Sequence, residues 1–268
     1  MALIARRAGR FLRTPKGLLL ILLVLLTAIA APAAGPRLVL PLAAAAVVAG
    51  ALIDLPILRL RSGRWEFPSG AILTGLIVAM VLSPREPWYV GAVTSAIGVA
   101  AKYVFRTRRA NVFNPAALGL VVTFYIFDTG QSWWGAVTES VPVGVASLFV
   151  TGTFIAERVS KLPLVVSFLG VYFSLFTAAA YLTDPGRVAE IFRAPDLQAV
   201  LYFAFFILSD PPTSPAPHRP QLICGVVVAV AAFAIFQWTG AAHYLLSAVL
   251  VGNVWEAWRR VSSRKDSP

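Results

Sequence analysis

Charge and cysteine are what this chain of 268 residues has least of. Only 13% of its residues are charged and 58% are hydrophobic, whereas soluble domains carry about 25% and 45–50%. That balance excludes an ordinary soluble domain and implies an integral membrane protein. The one cysteine, Cys224, excludes an internal disulfide or a cysteine-rich cluster site; it reads as a small apolar residue in a span. The two histidines, His218 and His243, stand at opposite ends of the ninth and tenth apolar segments, which argues against a haem held between them. Acid is scarce too: 12 Asp and Glu face 23 Lys and Arg, for a net charge of +11. The sequence shows no Gly-rich phosphate loop, nucleophile triad, metal quartet or HExxH pattern, so no catalytic machinery of its own is visible.

Long apolar runs fill the chain instead. "GLLLILLVLLTAIAAPAA" from Gly17 approaches the roughly 20 residues that a bilayer core demands. Ten such segments are read, at about 17–34, 38–58, 69–83, 88–105, 115–127, 140–156, 163–182, 199–208, 221–238 and 241–258. The predicted class is an all-α membrane protein of about ten transmembrane helices. It divides into a basic N-terminus at 1–16, one polytopic membrane domain at 17–258 and a basic tail at 259–268. With the N-terminus in the cytoplasm, 18 of the 23 Lys and Arg fall on inside segments, and Arg6, Arg7, Arg10, Arg108, Arg109, Arg264 and Lys265 are among them. That asymmetry is the positive-inside rule, and it places both termini in the cytoplasm and the chain in the cell (inner or plasma) membrane. The expected partner of these charges is anionic lipid, not nucleic acid. The first segment also has the basic start, apolar centre and small-residue "AIAAPAAG" of a signal peptide. Its apolar run is longer than usual for one, and it is read here as a retained span.

Ten segments divide as five plus five. The third ends "AMVLSPREPW" and the eighth "FFILSDPPTSP", with Leu82–Ser83 standing 126 residues before Leu208–Ser209. An odd number of spans per half makes the two repeats, about 17–127 and 140–258, inverted, and short proline-interrupted segments at matching places point to a binding site. Chance recurrence of Ser-Pro at helix ends is the plainer explanation of the match. The fifth segment opens "NVFNPAALGL", where Asn114 suits a helix cap and Pro115 the first turn. About 13 apolar residues follow before Asp128, too few to cross the core. Non-helical backbone survives at membrane depth only when buried in protein or lining a cavity. The turns at Asn114 and Asp210 are therefore expected to dip inward at the cytoplasmic side and build a polar site.

These stretches carry a resemblance. "SGAILTGLIVAMVLSPREPWYVGAVTSAIGVAAKYVF", "NVFNPAALGL", "LSDPPTSP" and "LSAVLVGNVWEAW", in that order across roughly residues 50–260, resemble the NqrB/RnfD family. Its members are the ten-helix flavin-carrying membrane subunits of the sodium-pumping NADH:quinone oxidoreductase and of the Rnf ferredoxin:NAD complex. The resemblance implies an inverted-repeat helical fold with short broken helices, a bound flavin and electron transfer with other subunits of a membrane redox complex. Two departures stand out. The family attaches FMN covalently to the threonine of a Ser-Gly-Ala-Thr motif, where this chain has Gly135-Ala136-Val137-Thr138; the covalent site is not carried over. The family's Gly-Gly before the Asn-Pro turn is replaced by Arg106-Thr107-Arg108-Arg109-Ala110. The expectation is a compact relative whose flavin, riboflavin or FMN, is non-covalent.

By the resemblance, Phe113, Asn114 and Pro115 form the cofactor-proximal turn. A carboxamide offers donor and acceptor to a flavin's uracil-like edge, though a helix cap would use it as well. Ser209, Asp210, Thr213 and Ser214 suit hydroxyl contacts to ribityl or ring oxygens, with Asp210 repelling a phosphate and so favouring riboflavin over FMN. The competing reading of that stretch is an exposed turn. Asp54 and Lys102 are expected to pair, since intramembrane charges need partners; Lys102, which matches a lysine of the family, could also snorkel. Asn253 and Glu256 either join this cytoplasmic-side cluster or serve packing. Trp133, Trp134, Trp88, Tyr89 and Trp238 read as anchors near the outer boundary, Trp65 and Trp258 near the inner one. Two functions remain open besides the redox one: an inverted-repeat transporter or channel for a small polar solute, and a cofactor-free scaffold subunit.

Overall fold

The structure, a computed structural model, describes residues 11–107, 110–138, 141–184, 186, 188–193 and 196–262. The basic residues Arg6, Arg7, Arg10, Arg108, Arg109, Arg187, Arg264 and Lys265 fall outside them. The described chain is all-α, with isolated bridges but no strand. Each of the ten apolar segments falls on a helix: α1 (Pro15–Ala34), α2 (Pro36–Ser62), α3 (Ser69–Val81), α4 (Trp88–Val104), α5 (Pro115–Phe127), α6 (Val141–Arg158), α7 (Leu162–Thr183), α8 (Asp196–Leu208), α9 (His218–Thr239) and α10 (Tyr244–Ser262). A 3-10 turn at Trp134–Ala136 and a single helical turn at Val188–Ile191 lie in connections.

Local chemistry sets the boundaries. Thr14 caps α1 by accepting from the Gly17 amide at 3.2 Å, and Pro15 occupies the first turn, where its missing N–H costs nothing. Gly35, at φ 91°, makes the sharp join to α2, a conformation that side chains resist. By length and apolarity α1, α2, α7 and α9 can each cross a membrane, whereas α3, α5 and α8 are shorter apolar helices. Thirteen residues, the length of α3 and of α5, rise only about 20 Å against a core of about 30 Å. The chain is thus an all-α membrane protein with short helices at its centre. The last six residues of α8, Phe203–Leu208, are wound as a π-helix, a form most often found at functional sites.

Packing follows a pattern. Helix α2 lies along α4, and α7 along α9; α4 packs on α5, and α9 on α10; α1 meets α3, and α6 meets α8. Between the two sets, α5 packs on α10 and α1 on α6. The core centres on α3 and α8, where residues 77–82 and 198–208 are all buried. Trp133 and Trp134 correct an expectation. They are 8% and 4% exposed, not boundary anchors. The loop after α5 folds back over the end of α3, the Ser132 amide reaching the Val81 carbonyl at 3.0 Å and Trp134 Nε1 the Ala79 carbonyl at 2.6 Å. The indoles fill the space that short α3 leaves. Trp65, Trp88, Tyr89, Trp238 and Trp258 stay exposed, as interfacial anchors do.

Candidate functional site

A cavity of about 480 Å³ opens where α1, α3 and α5 begin and where α4, α6 and α8 end. Its apolar wall includes Leu73, Ile77, Phe205 and Phe206; its polar groups are Lys16, Thr74, Lys102, Asn111, Asn114, Ser209 and Asp210. Size and lining match small-molecule and cofactor sites, which are about 300–1,000 Å³, mostly apolar, with a few placed polar groups.

Asn114 sits at the joint of three elements. Its Oδ1 accepts from the Ala117 amide at 3.0 Å, capping α5, and its Nδ2 donates to the Ile207 carbonyl at 3.1 Å, at the end of the π-helix. Its own amide donates to Asn253 Oδ1 at 2.8 Å, and Asn253 Nδ2 donates to the Thr213 carbonyl at 3.2 Å. Both carboxamides therefore already have work within the protein. Asp54, 1% exposed, ion-pairs with Lys102 and accepts from the Tyr103 hydroxyl. The Arg61 guanidinium lies 4.6 Å from the Tyr103 ring centre. A buried carboxylate needs such partners, and here they hold Lys102 on the cavity wall.

The loop after α8, residues 209–217, is answered from outside. Pro211, Pro212, Pro215 and Pro217 carry no N–H, so the loop has few donors for its own carbonyls. Side chains from other segments supply them. Arg260 donates to Pro212 O and Ser214 O, both at 3.0 Å. Lys161 donates to Ser214 O at 3.2 Å and Pro215 O at 2.6 Å, and Gln221 to Ala216 O at 2.8 Å. Glu256, 1% exposed, fixes Arg260 through its Nε at 2.7 Å. Within the loop, Thr213 Oγ1 donates to Asp210 Oδ2 at 2.9 Å. Among the described residues no cation lies within ion-pair distance of Asp210.

Of the residues singled out from sequence, Lys102, Asn114, Pro115, Ser209 and Asp210 line the cavity. Thr213, Ser214 and Asn253 stand outside the lining and brace it. Phe113 turns to Phe105, ring centres 5.6 Å apart. Asp54–Lys102 is a pair, whereas Glu256 belongs to the loop's cradle and pairs with Arg259 and Arg260. Sequence reasoning missed Lys16, Asn111 and Lys161. Lys16 reads in the sequence only as a topology charge, and Asn111, three residues before Asn114, has no pattern to single it out.

A second cleft, of about 900 Å³, lies among the opposite helix ends. The two clefts have matching linings. Gly70, Leu73, Ser209 and Asp210 line the first; Asp196, Ala199, Ser83 and Pro84 line the second. Each corresponding pair (Gly70 and Asp196, Leu73 and Ala199, Ser83 and Ser209, Pro84 and Asp210) is 126 residues apart. Helices α5 and α10 also touch near both of their ends. Asn114 bonds Asn253 at one end, and the His243 ring lies tilted against Phe124, centres 4.2 Å apart, at the other. Between the clefts, residues 78–81 of α3 and 200–204 of α8 are buried, joined by the Tyr202 hydroxyl on Met80 Sδ at 3.4 Å.

Comparison with known proteins identifies relatives and a family. The D subunit of an ion-translocating oxidoreductase complex from Rhodobacter capsulatus is 37% identical over 76 residues, 28% of this chain and 20% of that protein. The protein of the same name from Salmonella paratyphi A is 21% identical over 261 residues, covering 69% of this chain and 73% of its own length. The D subunit of a proton-translocating ferredoxin:NAD(+) oxidoreductase complex from Clostridium ljungdahlii is 33% identical over 87 residues, 29% of this chain and 26% of that protein. The chain thus aligns with about a quarter or less of the length of the more identical relatives. The profile of the NQR2, RnfD, RnfE family matches residues 11–147 and 133–258, every described helix up to the last turn of α10, and the chain belongs to that family.

Proposed function

We propose that the chain is a multi-pass cell-membrane subunit of an Rnf- or Nqr-like electron transport complex. On this reading residues 17–258 form one domain of ten spans in two inverted five-helix repeats, and the basic segments 1–16 and 259–268 lie in the cytoplasm. A non-covalent flavin occupies the cavity beside Asn114 and Asp210, and electrons pass between a cytoplasmic donor on another subunit and an acceptor in or beyond the membrane. One observation carries the reading: a cofactor-sized cavity sits where the Asn-Pro turn and the broken end of α8 meet, in a member of this family. The repeat is supported by the pairing of α2 with α4 and α7 with α9, and by the 126-residue correspondence of the clefts.

The flavin, when bound, supplies the redox chemistry; the chain supplies position and electrostatics. Phe205, Phe206, Leu73 and Ile77 exclude water from the cavity. Ser209 and Asn111 offer hydrogen bonds, and Lys102 offers a cation held by Asp54. Asp210, with no cation within ion-pair distance among the described residues, disfavours a phosphate beside it, whereas Lys16 and Lys102 on the same lining would favour one, so the flavin is riboflavin or FMN. Thr138 borders the opposite cleft, within a sequence that departs from the covalent attachment motif, and no covalent flavin is assigned to it. A transporter would need a continuous polar path, whereas the buried layer at Met80 and Tyr202 separates the clefts; this favours the redox reading.

An absorption spectrum of the detergent-purified protein tests it, followed by acid precipitation. The expected result is an oxidised-flavin band near 450 nm, an approximate value, that moves to the supernatant. Colour kept in the pellet would mean covalent attachment, with Thr138→Ala the variant to make. A folded protein that stays colourless after added riboflavin and FMN refutes the redox reading and leaves transport or a scaffold role.

A further inference from the structure

We propose that Lys161 is a positioning residue for the cavity: a tethered cation that joins two of its walls. The inference rests on the cavity being the flavin site. Lys161 occupies the short break between α6 and α7, just after Ser160 at φ 56°, and is 3% exposed. A buried ammonium is ordinarily matched by a carboxylate. Among the described residues none lies within 4.0 Å of Lys161. Its Nζ rests instead on the carbonyls of Pro215, at 2.6 Å, and Ser214, at 3.2 Å.

The position of those contacts gives them their consequence. On the α6 side the cavity wall is Ile155 and Val159, the latter just past the helix and two residues before Lys161, and the facing wall is Ser209–Pro212. Arg260, Asn253 and Gln221 hold the loop from α10 and α9; Lys161 ties it to the α6 side. Two carbonyl oxygens closing on an ammonium form a seat for a small monovalent cation. Removing the side chain leaves the Pro215 carbonyl without its donor and the Ser214 carbonyl with Arg260 alone, and the loop free to move away from α6.

The test uses the full chain with Lys161→Ala, titrating riboflavin by fluorescence quenching and labelling Cys224 with a maleimide. Cys224 is the chain's single cysteine, 3% exposed, and lies in the second turn of α9, directly after the loop. Both measurements are made in ammonium chloride and in N-methylglucamine chloride at equal ionic strength. The expected result is a loss of about tenfold in riboflavin affinity, as for one charge-assisted contact, with faster Cys224 labelling. Both changes should reverse in ammonium but not in the bulky cation, and the wild type should respond to neither. Wild-type affinity in Lys161→Ala, or a loss that ammonium does not restore, overturns the proposal. If the alanine variant does not fold, Lys161→Gln, which keeps a donor without the charge, is read in the same way. If the wild type binds no riboflavin, the flavin reading fails, and Cys224 labelling alone decides whether ammonium stands in for Lys161.

Discussion

Replacing Asn114 by alanine should destabilise the protein by an amount that its two side-chain bonds set. Loss of the cap to the Ala117 amide costs about 1 kcal/mol. Loss of the Nδ2 donor leaves the Ile207 carbonyl, fully buried, to the long contact from the Asp210 amide at 3.4 Å, at about 1–3 kcal/mol. The sum, roughly 2–4 kcal/mol, corresponds to a fall in melting temperature on the order of 5–15 °C for a domain of this size. The seven tryptophans provide an intrinsic fluorescence signal for a melt in detergent. Asn114→Ser separates the two terms, because a serine hydroxyl still caps the helix but does not reach the α8 carbonyl. It should melt between wild type and Asn114→Ala. Should Asn114→Ala melt within about a degree of wild type, the joint between α5 and α8 is not where stability resides, and the reasoning fails. Should the serine and alanine variants coincide, the cap contributes nothing.

Three further outcomes are expected. Glu256→Ala removes the anchor of Arg260, whose guanidinium side chain is 24% exposed; the cost should be on the order of 2–3 kcal/mol, less than for a fully buried pair, read as a lowered melting temperature. A Cβ on Gly98 would lie 2.3 Å from the Pro115 carbonyl, whereas one on Gly70 would lie 3.6 Å from Lys102 Nζ. Gly98→Ala should therefore lower the melting temperature by forcing α4 off α5, at about 1–3 kcal/mol, and Gly70→Ala should leave it unchanged. Burial lowers the Lys161 pKa from 10.5 to about 8, against the opposing charges of Asp210 and Glu256. Between those pH values the unfolded chain binds more protons than the folded one, so this group's contribution to stability rises with pH across that window. A melt series over that range should show the rise in wild type, and Lys161→Met should lack it.

Much of the helical framework was legible because apolar runs, proline and asparagine act locally. Asn114–Pro115 marked the start of α5, and Leu-Ser followed by proline marked the ends of α3 and α8. The pairing of Asp54 with Lys102 was legible from the cost of charge in a membrane. The roles of Thr213, Ser214 and Asn253 were not, because a hydroxyl or amide suited to a ligand is equally suited to a carbonyl one layer behind it. Trp133 and Trp134 resembled boundary anchors because local sequence gives no hint that their loop folds back over α3. Lys161 looked like any other inside charge; only the convergence of a distant loop's carbonyls on its ammonium sets it apart.

The cradle of the proline-rich loop also bears on how the protein is made. The carbonyls of residues 212–214 are answered by Asn253 and Arg260, some forty residues later in the chain. During synthesis α8 leaves the ribosome well before those partners do, so its polar end must wait, hydrated or shielded, until α10 arrives. Completion of this wall is thus tied to insertion of the final helix. A chain cut short before α10 could place its earlier helices in the bilayer yet would have no means of finishing the site.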